Sequence, residues 1–257
     1  MTSNKSKKHI ELLNIEVDNI TSGDLLNEFH RGVLFTPNID HFVLLQHDKE
    51  FYEAYKDADV IILDSQIIYL LSKVFHLGFK EKISGSDFFP AFCNYHRSNA
   101  EVRIFLLGGL EDTADRLKEY LNANAQREQV VGAYSPVENL EMNDQECLEI
   151  IERIKRAEAN VLAVAFGTPK QEKWIFRNRG KLPQVAMFMG VGASFDFLIG
   201  NQRRAPHWMQ KAGLEWLYRL VKAPRRLAKR YLWTDLRFFK YFLFNLLRRY
   251  ENPFKGM

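Results

Sequence analysis

Up to about residue 200 the chain is punctuated by short apolar runs: VLFT (33–36), VIIL (60–63), VRIFLL (102–107), VLAVAF (161–166) and VAMFMG (185–190). These runs are β-rich and continuously apolar rather than alternating, as strands covered on both faces should be. The stretches between them predict helices near 22–30, 40–57, 65–77, 87–98, 111–125, 143–158 and 169–179, and Pro169 suits a first helical turn. Strand–helix alternation predicts an α/β fold, a Rossmann-like, largely parallel sheet flanked by helices. Such sheets take ligands at the carboxyl ends of their strands. Past Gly200 the strand pattern stops, and 206–250 reads as helices broken near Pro224. The expected organisation is an α/β catalytic core over 1–200 and a helical C-terminal appendage over 201–257, with no internal repeat.

The length of 257 residues suits one large domain, or one domain with an appendage. A content of 46% hydrophobic and 26% charged residues excludes a disordered chain. The longest run without a charged residue, Leu182 to Phe195, has 14 residues, short of the roughly 20 a spanning helix needs. The start, MTSNKSKKHIELLNIEVD, has lysines but no apolar signal core, so secretion is not expected. Cys93 and Cys147 lie far apart, which suggests a reducing compartment and excludes a cysteine-based zinc site.

Charge divides the chain. From Arg203 onward there are fourteen Lys and Arg against Glu215, Asp235 and Glu251, a net of +11, whereas residues 1–202 carry −7. The same tail holds 12 of the 34 aromatics and three of the four tryptophans. A basic, aromatic tail on an acidic core suggests an anionic partner: membrane lipid, nucleic acid or a phosphorylated substrate. The competing reading is a solvated helical face whose aromatics pack on the core. Near the end, Leu232, Leu236, Phe239, Leu243 and Leu246 share a helical stripe, with Arg237, Lys240 and Arg248 opposite and Phe244 among them. This predicts an interfacial helix; an oligomer contact or packing on the core are the alternatives.

Polar or glycine turns follow each apolar run: Thr36-Pro37-Asn38, Asp64-Ser65-Gln66, Gly108-Gly109, Gly167-Thr168-Pro169-Lys170-Gln171 and Gly190-Val191-Gly192-Ala193-Ser194. Glycine turns let backbone N–H groups approach a phosphate at a helix N-terminus. Asp64 is the most informative acid. At the end of VIILD it can cap the next helix or act as a general base, and the two roles do not exclude each other. Gly85-Ser86-Asp87 reads as a helix start or a ligand contact through backbone N–H groups. Asp196 reads as a substrate ligand or an anchor for the appendage through Arg203 or Arg204. Trp174 and Phe176 read as core.

Several motifs are absent or misplaced. Gly190-Val191-Gly192 lacks the third glycine of a dinucleotide fingerprint, since Phe195 stands there. Asp57-Ala58-Asp59 fits the DxD pattern of metal-dependent sugar transferases but precedes its strand, on the entry side of the sheet. There is no HExxH spacing and no Gly-x-Ser-x-Gly elbow.

Five blocks in order, TPNIDHF, DADVIILDSQ, EKISGSDFF, VAFGTPKQEKW and GVGASFDFLIGNQRRAPHWMQKAGLEWLYRLVKAPRRLAKRYL, give the chain a strong resemblance to the bacterial WecG/TagA/CpsF glycosyltransferases from about Thr36 to Leu232. The resemblance implies an inverting, metal-independent transfer from a UDP-sugar to a polyprenyl-diphosphate-linked sugar in cell-surface polysaccharide synthesis. That chemistry would take place on the cytoplasmic face of the membrane. Asp64 falls on the family's proposed catalytic aspartate, Thr36 and Asn38 on its Thr-x-Asn pair, and Gln171 on the glutamine after Gly-x-Pro-Lys. Arg219, Arg226 and Arg230 match arginines of the appendage that folds over the site. The chain departs from the family where Ser65 replaces a glycine, Lys82 an arginine and Ala223 a glutamate. Lysine keeps the charge but not the bidentate fork. These departures suggest a subgroup, with a different donor sugar one reading of them.

The residues expected at the substrates are therefore Asp64 as base, with Thr36, Asn38, Lys82, Gly85, Gly108, Gly167, Gln171, Asp196, Arg219, Arg226 and Arg230 in binding roles. No metal or other cofactor is expected, because arginines can neutralise a departing diphosphate. The expected partners are the UDP-sugar, the lipid-linked acceptor and an anionic membrane surface, with self-association through the core left open. A nucleic-acid role for the tail is disfavoured by the acidic core and by aromatics that follow no recognition-module spacing. An oxidoreductase and a non-catalytic membrane-docking subunit are the other classes weighed.

Overall fold

The computed structural model describes residues 9–136, 144–202, 204–206, 208–209, 212, 214–222 and 236–256. Six strands form one parallel sheet: β3 (Gly32–Phe35), β4 (Val60–Ile61), β5 (Ile104–Gly108), β6 (Val130–Tyr134), β7 (Val161–Ala165) and β8 (Met187–Gly190), in the order β4-β3-β8-β7-β5-β6. The five apolar runs are five of these strands. Successive residues point to opposite faces, so an unbroken apolar run feeds two cores. Phe35, Leu107, Leu162, Val164 and Phe188 enter one, while Leu34, Leu106, Val161, Ala163 and Met189 enter the other.

The first face is covered by α2 (Ile39–Leu44), α3 (Lys49–Lys56), α4 (Gln66–Val74), α7 (Asp144–Arg156) and α8 (Lys170–Asn178). The second is covered by α1 (Ser22–Glu28), α5 (Gly85–Tyr95), α6 (Thr113–Ala125) and α9 (Ser194–Leu198). The single helix expected over 40–57 is two, because the Asp48 side chain accepts from Phe51 N–H and caps a new start.

Two features lie outside the expectation. Residues His9–Leu12 (β1) and Ile15–Asp18 (β2) form an antiparallel hairpin. Its apolar positions Leu12, Leu13, Ile15 and Val17 are buried, and Asp18 Oδ2 accepts from Ile61 N–H at 2.9 Å. The hairpin thus covers the free edge of β4, which would otherwise expose unpaired backbone groups. The other is β6, where Gly132 interrupts the apolar signal. A Cβ at Gly132 would lie 2.6 Å from the Phe105 ring, so only glycine fits beside the irregular β5 register.

Beyond residue 200, helices α10 (Glu215–Lys222) and α11 (Leu236–Leu246) are described. Helix α11 packs on α2 by burying Phe238 and Phe242, and Phe42 lies 6.0 Å from Phe238 between ring centroids. Burial of each such ring contributes about 1.5–3 kcal/mol. Tyr250 donates to Gln46 Oε1, Asn252 donates to the Tyr52 hydroxyl at 3.0 Å, and Phe254 stacks on Tyr52. Core packing is therefore one role of this helix. Leu246 also turns toward the core, whereas Leu236, Phe239 and Leu243 of the expected stripe stay exposed; Leu232 lies outside the described residues. No helix among the described residues is long and apolar enough to cross a membrane.

Candidate active site

The carboxyl ends of β4, β3, β8 and β7 meet at one edge of the sheet. Asp64 N–H donates to Pro37 C=O at 3.0 Å and Ile83 N–H to Leu63 C=O at 3.0 Å, which draws the loop before α5 onto the ends of β3 and β4. A Cβ at Gly85 would meet Thr36 Oγ1 at 3.3 Å and Val191 O at 3.5 Å, so the start of α5 sits against both strand ends. Asp64 stands in this ring, half-buried at the mouth of the sheet. The cap of α4 is Ser65, whose side chain accepts from Ile68 N–H at 3.2 Å. A serine after the aspartate, one of the departures noted in the sequence, therefore supplies the capping function expected as one role of Asp64.

Asn38 caps α2, accepting from Asp40 N–H at 3.0 Å. The cap of α5 is Ser84, which accepts from Asp87 N–H, so Gly85-Ser86-Asp87 is the first helical turn. Asp87 gathers the nearby cations. Lys82 Nζ lies 3.3 Å from its Oδ2, Ser84 donates to the same oxygen, and Arg204 donates to Oδ1. Burial alone would raise this carboxyl, but the hydrogen bonds from Arg204 and Ser84 and the Lys82 charge hold it at about 2. Asp196 was expected as a substrate ligand or as an anchor for Arg203 or Arg204, and Arg204 does not take it as its partner. Arg204 anchors on Asp87 instead, and Asp196 accepts from Gln202 Nε2 at 3.0 Å, because the short α9 turns that carboxylate back on its own loop. Arg204 thus ties the start of the appendage to α5, within electrostatic reach of Asp64.

Gly108 answers first to packing: at φ +119° a Cβ would lie 2.6 Å from the Ala165 carbonyl. Gly167, at φ +74°, has open space around it. The connections after β5 and β7 leave in opposite directions, to β6 and to β8, so these two glycine turns flank a switch point of the kind that binds ligands.

Gln171 is 3% exposed, and both ends of its amide are engaged: Oε1 accepts from Gly192 N–H at 3.0 Å and Nε2 donates to Glu172 Oε1 at 2.8 Å. In this geometry it acts on the turn after β8. Arg219 lies on α10. Arg226 and Arg230, with Arg203 and Ala223, lie outside the described residues.

Below this edge runs a buried polar chain that the sequence did not disclose. The Tyr55 hydroxyl is 2.6 Å from His41 Nδ1, His41 Nε2 is 2.5 Å from Thr168 Oγ1, and Thr168 donates to Glu172 Oε1 at 3.2 Å. Burial drives His41 down to about 3 and Glu172 up to about 7, the latter against hydrogen bonds from Gln171, its own backbone and Thr168. Tyr55 is raised well above its ordinary value by burial and by the Glu172 and Asp64 carboxylates. His41 and Glu172 lie in the first turns of α2 and α8, each beside buried apolar neighbours, and 127 residues separate His41 from Thr168, so no local pattern links them.

The acids of Asp57-Ala58-Asp59 have structural partners. Asp57 pairs with Arg179, and Asp59 accepts from Val33 N–H at 2.8 Å. Among the described residues no group of three or more His, Cys, Asp or Glu is placed to hold a metal ion. A cavity of about 330 Å³ lined by Cys93, Asn94, Arg97, Tyr120 and Gln129 lies at the C-terminal turns of α5 and α6, away from Asp64.

Fold and candidate site together define an α/β protein with a cluster of polar and acidic residues at the carboxyl edge of a parallel sheet. Its sequence matches the model of the glycosyl transferase WecG/TagA/CpsF family over residues 10–252, and the chain belongs to that family. It is a glycosyltransferase. One relative is the N-acetylglucosaminyldiphosphoundecaprenol N-acetyl-beta-D-mannosaminyltransferase of Bacillus subtilis (strain 168), 29% identical over 195 residues, covering 76% of this chain and 73% of the relative.

Proposed function

We propose that this chain transfers a sugar from a UDP-sugar to a polyprenyl-diphosphate-linked sugar in cell-surface polysaccharide synthesis, with inversion and without a bound metal. The observation that carries the reading is Asp64 at the end of β4, half-buried among Thr36, Gly85 and the Val191–Gly192 turn, with the helix cap supplied by Ser65. Asp64 takes the proton of the acceptor hydroxyl as that oxygen attacks the anomeric carbon. The bond from that carbon to the diphosphate oxygen breaks, and UDP leaves with the electron pair. The Gly167-Thr168 turn offers backbone N–H groups to the phosphates, and Arg219, Arg226 and Arg230 supply the balancing charge. The metal-free part is supported by the partners of Asp57 and Asp59, which a metal would have to displace.

The chain would work as a core over 1–200 with an appendage over 201–257, docked on the cytoplasmic membrane face. Exposed Leu236, Phe239 and Leu243 of α11, with Leu247 just past its end, adjoin exposed Val74 and Phe75 at the end of α4, since Phe75 and Phe242 lie 5.7 Å apart between centroids. Exposed Lys73, Arg237, Lys240, Arg248 and Arg249 accompany this apolar surface, a composition that suits anionic headgroups.

The activity for which the Bacillus subtilis relative is named sets the first trial: a UDP-N-acetylmannosamine donor with a short-chain polyprenyl-diphosphate N-acetylglucosamine acceptor, within a panel of UDP-sugars. UDP release should require both substrates and survive EDTA. Release without acceptor would remove the transferase reading, and EDTA loss restored by a divalent cation would remove its metal-free part.

A further inference from the structure

The buried chain beneath the site has a direction. Thr168 has one hydroxyl proton and donates it to Glu172 Oε1, so at its other side it must accept from His41 Nε2–H. A neutral His41, as its burial requires, then has Nδ1 free to accept from the Tyr55 hydroxyl. Every donor points toward Glu172: Tyr55 to His41, His41 to Thr168, and both Thr168 and Gln171 to the same carboxyl oxygen. The second oxygen, Oε2, is buried without a hydrogen-bond partner. An unpartnered buried carboxyl oxygen is costly and calls for an explanation.

We propose that Glu172 is a positioning residue of the transferase: through Oε1 it holds His41 as the Nε2–H tautomer and turns the Gln171 amide so that its oxygen grips Gly192 N–H. The devices it holds converge on the Asp64 mouth. His41 lies one turn beyond Asn38 on α2, Tyr55 lies in electrostatic reach of Asp64, and Gly192 follows Val191, whose backbone packs against Gly85. Without the acceptor at residue 172, Gln171 Nε2 has no fixed partner and its amide can turn, which releases the Gly192 turn. Thr168 would then donate to His41 Nε2, and the whole chain would reverse, with His41 Nδ1–H donating to the Tyr55 oxygen. The proposal rests on Asp64 being the reacting centre, and its readouts separate the two claims.

The test compares Glu172→Met, which keeps the length and removes the acceptor, with Glu172→Gln, which keeps an amide oxygen in the Oε1 position. In ¹⁵N spectra of histidine-labelled full-length protein, with the His41 signal assigned by its loss in His41→Asn, the parent and Glu172→Gln should show the Nε2–H tautomer. Glu172→Met should show the Nδ1–H tautomer. Transfer should fall on the order of 10²-fold in kcat for Glu172→Met, the scale of a misplaced site, and be largely rescued in Glu172→Gln. A folded Glu172→Met protein that keeps the Nε2–H tautomer, or that transfers at the parental rate, overturns the proposal. Parental transfer by Asp64→Asn would instead overturn the Asp64 reading, while the tautomer result would still judge Glu172.

Discussion

Replacing Glu172 by Gln should uncover a pH dependence of stability that the native pair conceals. The His41 Nδ1 and Glu172 Oε1 atoms are 3.9 Å apart, and both side chains are buried. In the folded chain the carboxyl titrates at about 7 against 4.5 for its ordinary value, and the imidazole at about 3 against 6.5. A carboxyl raised on folding contributes stability below 4.5 that is lost as pH rises to about 7; an imidazole lowered on folding contributes stability above 6.5 that is lost as pH falls to about 3. Between 4.5 and 6.5 the folded pair holds one proton, on Glu172, and the unfolded pair also holds one, on His41. The two slopes cancel there.

Glu172→Gln removes one slope and leaves the other. Relative to the parent, the variant should lose about 1.4 kcal/mol per pH unit, hence about 2.7 kcal/mol from pH 6.5 to 4.5. At about 2–4 °C per kcal/mol for a chain of this size, the Tm difference should change by about 5–10 °C over that interval. His41→Asn should do the reverse and lose stability against the parent as pH rises from about 3 to 6.5. Calorimetric melts of the three proteins across this range provide the assay, and taking differences from the parent cancels every other titrating group. A difference that stays flat for both variants would refute the assignment of a neutral imidazole beside a protonated carboxyl.

Other expectations follow from single contacts. Ser65→Ala should cost about 1 kcal/mol by chemical denaturation through loss of the α4 cap; no loss would mean that another group caps the helix. Gly108→Ala should be poorly folded or lose more than about 2 kcal/mol, because its Cβ meets the Ala165 backbone at 2.6 Å, and a wild-type melting curve would contradict that packing. Binding to vesicles should be salt-sensitive, stronger for anionic than neutral lipid, and weakened by Phe239→Glu with Leu243→Glu. Equal binding to neutral and anionic vesicles would remove the electrostatic part of the docking claim.

The elements most legible from sequence were those whose signal is local. The strands of the sheet centre read as unbroken apolar runs because both faces are covered, and Asp64 stood out because it ends such a run and opens a helix. The edge hairpin and β6 were missed because each presents one buried face and short or glycine-broken alternation. The same limit applies within the site. Ser65 could be seen as a departure but not as the cap of α4, and Arg204 could be seen as an anchor without Asp87 as its partner. His41, Tyr55, Thr168 and Glu172 come together only through the sheet order that sets β7 near β3. In α11, counting hydrophobic positions favoured Leu236, Phe239 and Leu243, whereas the core takes Phe238 and Phe242, whose rings fit against Phe42 and Phe75.

The claim on which the rest depends is that Asp64 removes the acceptor proton. Single-turnover transfer by Asp64→Asn, measured beside donor binding and thermal melting of the same preparation, tests it most directly. Transfer should slow by about 10²–10⁴, with donor affinity and Tm close to the parent. A variant that transfers within a few-fold of the parental rate would place the base elsewhere.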